Sequence, residues 1–168
     1  AVRLFDEMRG EHGMLPRHRL LLEVAALLHD IGNFVSLRAH HKHSQYLLSA
    51  SEIFGLSTAD MAIVSNVARY HRRALPQKSH LLYMALDRDE RVVVNKMAAL
   101  LRLANALDAD HLQKIKDVCV QSEEGTWVLE IDGGGDLTIE RLVALSRADL
   151  FTDAFGRRVV LREGGSRA

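Results

Sequence analysis

Leu20-Leu21-Leu22-Glu23-Val24-Ala25-Ala26-Leu27-Leu28-His29-Asp30-Ile31-Gly32 decides how the chain is read, because it sets an imidazole beside a carboxylate where an apolar helix runs out. Leu20, Val24, Leu27 and Ile31 recur at helical spacing and predict a buried stripe that holds His29 and Asp30 near the interior. Gly32 is expected to close the helix as a left-handed cap. An aspartate carried inward must be paired, hydrogen-bonded or metal-bound to offset its desolvation. A helix-terminal His-Asp hydrogen bond meets that need as well as a metal does, so the doublet alone leaves both open.

The downstream sequence shifts the balance toward ligands. Arg38, His40, His41, Lys42 and His43 precede the apolar Tyr46-Leu47-Leu48, and Val67-Ala68-Arg69-Tyr70-His71-Arg72-Arg73 follows after a break. A helix after Leu37 would put His40 and His43 one turn apart, addressing a common point, while His41 faces elsewhere. Ser57 and Asp60 have capping-box spacing, and the stripe Met61, Val64, Val67 or Ala68 extends to His71, which should point inward. Nitrogen and carboxylate donors from several helices suit Mn, Fe, Zn or a mixed two-metal site, and such sites generate a hydroxide that attacks phosphorus.

Four blocks together carry a resemblance. They are Leu27-Leu28-His29-Asp30-Ile31-Gly32, His40-His41-Lys42-His43-Ser44, Ala68-Arg69-Tyr70-His71-Arg72-Arg73 and Leu100-Leu101-Arg102-Leu103-Ala104-Asn105-Ala106-Leu107-Asp108. Over most of its length the chain resembles the carboxy-terminal HD-type domain of the exopolyphosphatase and guanosine pentaphosphate phosphohydrolase family. The resemblance implies an actin-like amino-terminal half, absent here, that carries the phosphatase chemistry with Mg. It also implies polyphosphate or pppGpp as substrate, a homodimer and a cytoplasmic location.

Two departures from the HD pattern bear on metal. An HD enzyme has a first histidine on a helix well before the doublet, but only His12 and His18 lie upstream, neither in that context. Val2-Arg3-Leu4-Phe5-Asp6-Glu7-Met8 reads as the latter part of that helix, so the chain is expected to begin just after the ligand. The closing aspartate is replaced by Asn105, whose amide offers an oxygen but no charge. Asp108 lies one turn on and substitutes only with a local shift. Met97, Leu101, Asn105 and Asp108 form one stripe, so both polar residues are expected to face the core or the site. Mn, Fe, Zn or Mg is therefore expected to bind this fragment weakly or not at all.

Organisation changes near Asp117. Before it the pattern is helical, with breaks at 10–16, 32–38, Gly55, 76–79 and the charged Asp87-Arg88-Asp89-Glu90-Arg91. After it, Val118-Cys119-Val120 and Thr126-Trp127-Val128-Leu129-Glu130-Ile131 read as strands, with Trp127, Leu129 and Ile131 on one face. Asp132-Gly133-Gly134-Gly135-Asp136 reads as a hairpin turn into Leu137-Thr138-Ile139, not a phosphate loop, since no Gly-Lys-Ser/Thr follows. Residues 140–155 read as one amphipathic helix ended by Gly156, 158–162 as a returning strand, and 164–168 as a loose tail. The fold class is α+β: a helical HD-type bundle over 1–116, then a small antiparallel or mixed sheet with one packed helix over 117–168.

The 168 residues, 48% hydrophobic, suffice for one core. One cysteine excludes an internal disulfide framework, and no apolar run reaches membrane-spanning length. With 22 basic and 22 acidic residues the net charge is zero, so nucleic acid is not a predicted partner. Locally, however, Arg38, Lys42, Arg69, Arg72, Arg73 and Lys78 accompany the histidines and form a candidate basic rim, the first five being the candidate phosphate-binding residues. Three readings stand: a phosphate-binding channel and dimer surface serving chemistry in another half, an autonomous HD-type metal phosphohydrolase, and a metal-free regulatory or dimerisation module. The Asn105 departure favours the first.

Overall fold

The computed structural model describes residues 1–164; the expected tail residues 165–168 lie outside the described residues. Gly164 is tied to the sheet, its N–H donating to Ile131 O at 2.9 Å. Helix α1 (Val2–Glu7) packs on α2 (Pro16–Leu28), which opens on a proline where a missing N–H sacrifices no helical bond. The buried face of α2 is Leu21, Leu22 and Ala25, whereas Leu20, Leu27 and Ile31 of the expected stripe are exposed. A nearly continuous apolar run offers several stripes at helical spacing. The partners choose among them, and here α2 is turned by α4 (Thr58–Arg69) and α6 (Arg88–Leu107).

Past His29 the chain tightens into a 3-10 turn, Ile31–Phe34, and Gly32 does not have the positive φ of a left-handed cap. Its role is close approach: a Cβ there would sit 2.5 Å from Ser44 N and closer still to the His40 carbonyl oxygen, both in α3 (His40–Ser49). Helix α4 starts with the expected capping box, Asp60 N–H donating to Ser57 Oγ at 3.1 Å and Ser57 N–H to Asp60 Oδ2 at 2.8 Å. After the short α5 (Leu81–Met84), a second capping box, Asp87 with Glu90, opens α6. The charged run expected as a break is thus the cap and first turn of the longest helix.

Strands β1 (Ile115–Glu123) and β2 (Thr126–Gly133) form an antiparallel hairpin that turns at Glu124 and Gly125, where φ is 71°. The glycine run after Asp132 is therefore no hairpin turn; it leads into α7 (Thr138–Ser146), and Thr138 and Ile139 are helical. The expected single helix is two, α7 and α8 (Asp149–Phe155), because Asp149 accepts the N–H of Leu150 at 2.7 Å and opens a new helix. Gly156 ends α8 at φ 72° as expected. The two helices cross over to β3 (Arg158–Glu163), parallel to β2, giving a mixed sheet in the order β1-β2-β3. One hydrophobic cluster includes Leu21, Met97 and Leu101 together with Trp127, Leu129 and Leu161, so the helices and sheet share a core. Among the described residues no helix is long and apolar enough to cross a membrane.

Candidate metal and phosphate site

The end of α2, the start of α3 and the end of α4 meet at one place. Ser44 fastens the first two: its Oγ accepts the Gly32 N–H at 3.0 Å and donates to His29 O at 2.6 Å. The buried face of α3 runs His40, Ser44, Leu48, so His40 is carried inward with the serine. Ala39, just before it, has φ 57°, a left-handed conformation that costs an alanine about 1–2 kcal/mol. His71 follows α4 by two residues and is fully buried. Its loop is held by Arg102, itself buried, whose Nε donates to Tyr70 O at 3.3 Å and Nη2 to Ala74 O at 2.6 Å. Arg102 Nη1 also pairs with Asp149 Oδ1 at 2.7 Å, linking the loop to α8.

Asp30 Oδ1 lies 3.3 Å from His40 Nε2 and 3.5 Å from His71 Nε2, and its Oδ2 lies 3.5 Å from His29 Nε2. One ligand atom each from His29, Asp30 and His71 falls within 4.8 Å of the others. Each imidazole hydrogen-bonds through Nδ1 to the carbonyl three residues earlier: His29 to Ala26 O at 2.7 Å, His40 to Leu37 O at 3.2 Å, His71 to Ala68 O at 2.7 Å. A carbonyl only accepts, so the proton is on Nδ1 and each Nε2 lone pair is turned toward the Asp30 carboxylate. His40 Nε2 and His71 Nε2 are 3.1 Å apart, and His29 Nε2 is buried without a hydrogen-bond partner. Facing lone pairs require a proton or a cation between them. Burial lowers the His71 imidazole's affinity for a proton, which disfavours the proton there. The residues present therefore fit a cation: His29, Asp30 and His71 offer two nitrogens and a carboxylate around one point, with His40 Nε2 adjoining at 3.1 Å from His71 Nε2, and imidazole with carboxylate suits Mn, Fe or Zn better than Mg.

Asn105 lines a cavity of about 310 Å³ together with Asp30, His40, His71, Arg72, His111 and Arg147. Asp108 does not line it: its Oδ1 accepts the Gln113 N–H at 2.8 Å, closing the turn after α6. His43 also stands outside the cluster, half-buried and off the His40-Ser44-Leu48 face. His111 and Arg147 carried no sequence signal, one lying beyond any periodic segment and the other inside what reads as a continuous helix. His111, like Ala39, has φ 57°, and such strain gathers at ligand sites.

Among the described residues, none of Arg38, Lys42, Arg69, Arg72 and Arg73 forms an ion pair, whereas Arg17, Arg19, Lys114 and Arg162 are paired to carboxylates. Arg69 is buried, and its Nε and Nη1 have no partner. His41 is pushed down to about 4 by burial and then by the charge of Arg69; His80, lowered by its burial, feels Arg69 and Lys42 as well. Arg72 and Arg73 act in the same way on Arg147. His41 feels Lys42 and Arg72 as well as Arg69, so these cations act on one neighbourhood, while Arg38 is exposed.

Fold and site define an α+β domain that gathers imidazole and carboxylate donors beside unpaired cations, a combination suited to phosphate ligands. The family model for Ppx/GppA phosphatase, domain III, matches residues 1–150, and the chain belongs to that family. Similar curated proteins are each named guanosine-5'-triphosphate,3'-diphosphate pyrophosphatase. That of Aliivibrio fischeri is 28% identical over 134 residues, covering 76% of this chain and 27% of its own length. That of Pseudoalteromonas atlantica is 25% identical over 115 residues, 68% of this chain and 22% of its own. In Pseudoalteromonas translucida the match is 38% over 55 residues, 33% of this chain and 11% of the relative. The chain thus spans about a quarter, or less, of the length of these relatives.

Proposed function

We propose that this domain serves a cytoplasmic phosphoanhydride hydrolase of polyphosphate or pppGpp, lending it a cationic path for the substrate and a homodimer surface. Hydrolysis itself, with Mg, belongs to an actin-like amino-terminal half outside this chain. The observation that carries the reading is the unpaired state of Arg38, Lys42, Arg69, Arg72 and Arg73 in a molecule of zero net charge. A buried guanidinium such as Arg69 is stabilised when an anion supplies the missing acceptors. The names of the relatives, which specify a guanosine nucleotide with a 5'-triphosphate, favour a substrate rich in phosphate. In the full-length enzyme, Arg69→Ala with Arg72→Ala is expected to raise KM for long polyphosphate at least tenfold with kcat changed less than threefold. An equal fall in kcat and kcat/KM would place these residues at the chemistry and overturn the reading.

A second reading, a metal phosphohydrolase acting at this site, is favoured by the convergence of His29, Asp30, His40 and His71. These four would hold Mn, Fe or Zn, which when bound supplies Lewis acidity toward a phosphoryl oxygen. Around it, the three carbonyl acceptors of Ala26, Leu37 and Ala68 would hold each imidazole in the Nδ1–H tautomer and orient its Nε2. Asn105 contributes an uncharged wall, so Asn105→Asp is expected to tighten Mn binding at least tenfold by calorimetry, and an unchanged affinity would remove Asn105 from the site.

A further inference from the structure

The cavity beside the donors has a wall that neither the family nor the pattern of histidines assigns, and it comes from the sheet-bearing end of the chain. Arg147 lies between α7 and α8, yet it lines the same 310 Å³ space as Asp30, His40 and His71, together with Arg72 of the loop after α4. We propose that Arg147 and Arg72 form a subsite for the terminal phosphoryl groups of an oligophosphate, so that a chain end, not a threaded chain, is received at the donor cluster. This rests on the reading of the cationic face as a polyphosphate or pppGpp surface.

Three observations support it independently of the histidines. Neither guanidinium has a hydrogen bond or ion pair among the described residues, and Asp30, already facing three imidazoles, is the one carboxylate in the cavity wall. The acid closest in sequence to Arg147, Asp149, is taken by Arg102 at 2.7 Å. Arg147, half-buried, feels the like charges of the exposed Arg72 and Arg73, a repulsion that an anion between them would relieve, and burial with that repulsion lowers the Arg147 affinity for its proton.

The two arginines are also positioned together. Arg102 binds Tyr70 O and Ala74 O, which bracket Arg72, and through Asp149 it fixes the start of α8, two residues after Arg147. One buried guanidinium therefore sets the spacing of the half-buried Arg147 and the exposed Arg72, and each presents a planar fork suited to phosphate oxygens. Asn105 adds a neutral amide and His111 an imidazole on the remaining wall. The volume is at the small end for ligand sites, which suits a few phosphoryl groups.

The test is calorimetric titration of sodium tripolyphosphate and of long-chain polyphosphate into the 168-residue chain with chelator present, so that no metal contributes. Arg147→Met is expected to weaken tripolyphosphate binding about tenfold or more, Arg147→Lys to retain part of it, and both variants to melt like the parent because the side chain holds nothing in place. Long polyphosphate is expected to remain bound by Arg147→Met through Lys42 and Arg69. Wild-type binding of long polyphosphate with tripolyphosphate affinity unaltered by Arg147→Met overturns the subsite alone. Failure of the wild type to bind either anion overturns the cationic-path reading and the subsite with it.

Discussion

At the scale of single residues, Gly32 is as important to the site as the ligands. It lets the turn that carries Asp30 press against the first residue of α3, and Ser44 then ties the two together through Gly32 N–H and His29 O. Gly32→Ala is expected to cost about 1–3 kcal/mol, the usual range for overpacking, by shift of the urea midpoint. Because the displaced segment holds Asp30, divalent-metal affinity is expected to fall with it; a variant as stable as the parent would show that the turn has room to yield. The inward direction of His71 was legible in the stripe from Met61 to Val67 or Ala68, whereas His29 and Asp30 were marked by residue type alone, since the stripe expected to carry them inward is mostly exposed. The glycine's reason was not. A glycine after an apolar helix signals a left-handed cap and a close backbone approach equally well, and only the position of α3 decides. Asn105 and Asp108 share a stripe on paper, but the helix ends between them and sends Asp108 into its own turn.

At the scale of elements, the decisive part is Arg102 on α6, which spans α4, the His71 loop and α8 with one side chain. Arg102→Met is expected to destabilise by about 2–3 kcal/mol, since it strands two carbonyl acceptors and breaks an ion pair whose guanidinium is buried although its carboxylate is half exposed. Thermal unfolding checks this, and the same variant is expected to lose tripolyphosphate affinity, because Arg72 and Arg147 would no longer be held at a fixed spacing. A variant with native stability would mean that packing alone fixes the loop. The kinds of element were readable where one period dominated, as in α4, α6 and the β2 strand. They were misread where local polar groups intervened. Asp149, by accepting Leu150 N–H, divides a continuous amphipathic pattern into α7 and α8; Asp87 and Glu90 turn an apparent break into a helix start. The buried face of α2 was misplaced for another reason: almost every residue of that run is apolar, so only its neighbours could choose.

At the scale of the whole molecule, zero net charge conceals an uneven distribution. Many arginines are spent on carboxylates that join elements, among them Arg19 to Asp6, Arg17 to Asp60 and Arg162 to Glu123. Those beside the donor cluster have no carboxylate partner among the described residues. The central claim is that this free charge receives phosphate chains, and the salt dependence of long-polyphosphate binding measures it most directly, because each cationic contact releases counterions. With about five contacts, log K is expected to fall against log salt with a slope of roughly −3.5, and Arg69→Ala with Arg72→Ala is expected to flatten it by roughly 1.4. Absence of binding at low salt, or a slope that the double substitution leaves unchanged, would contradict the account.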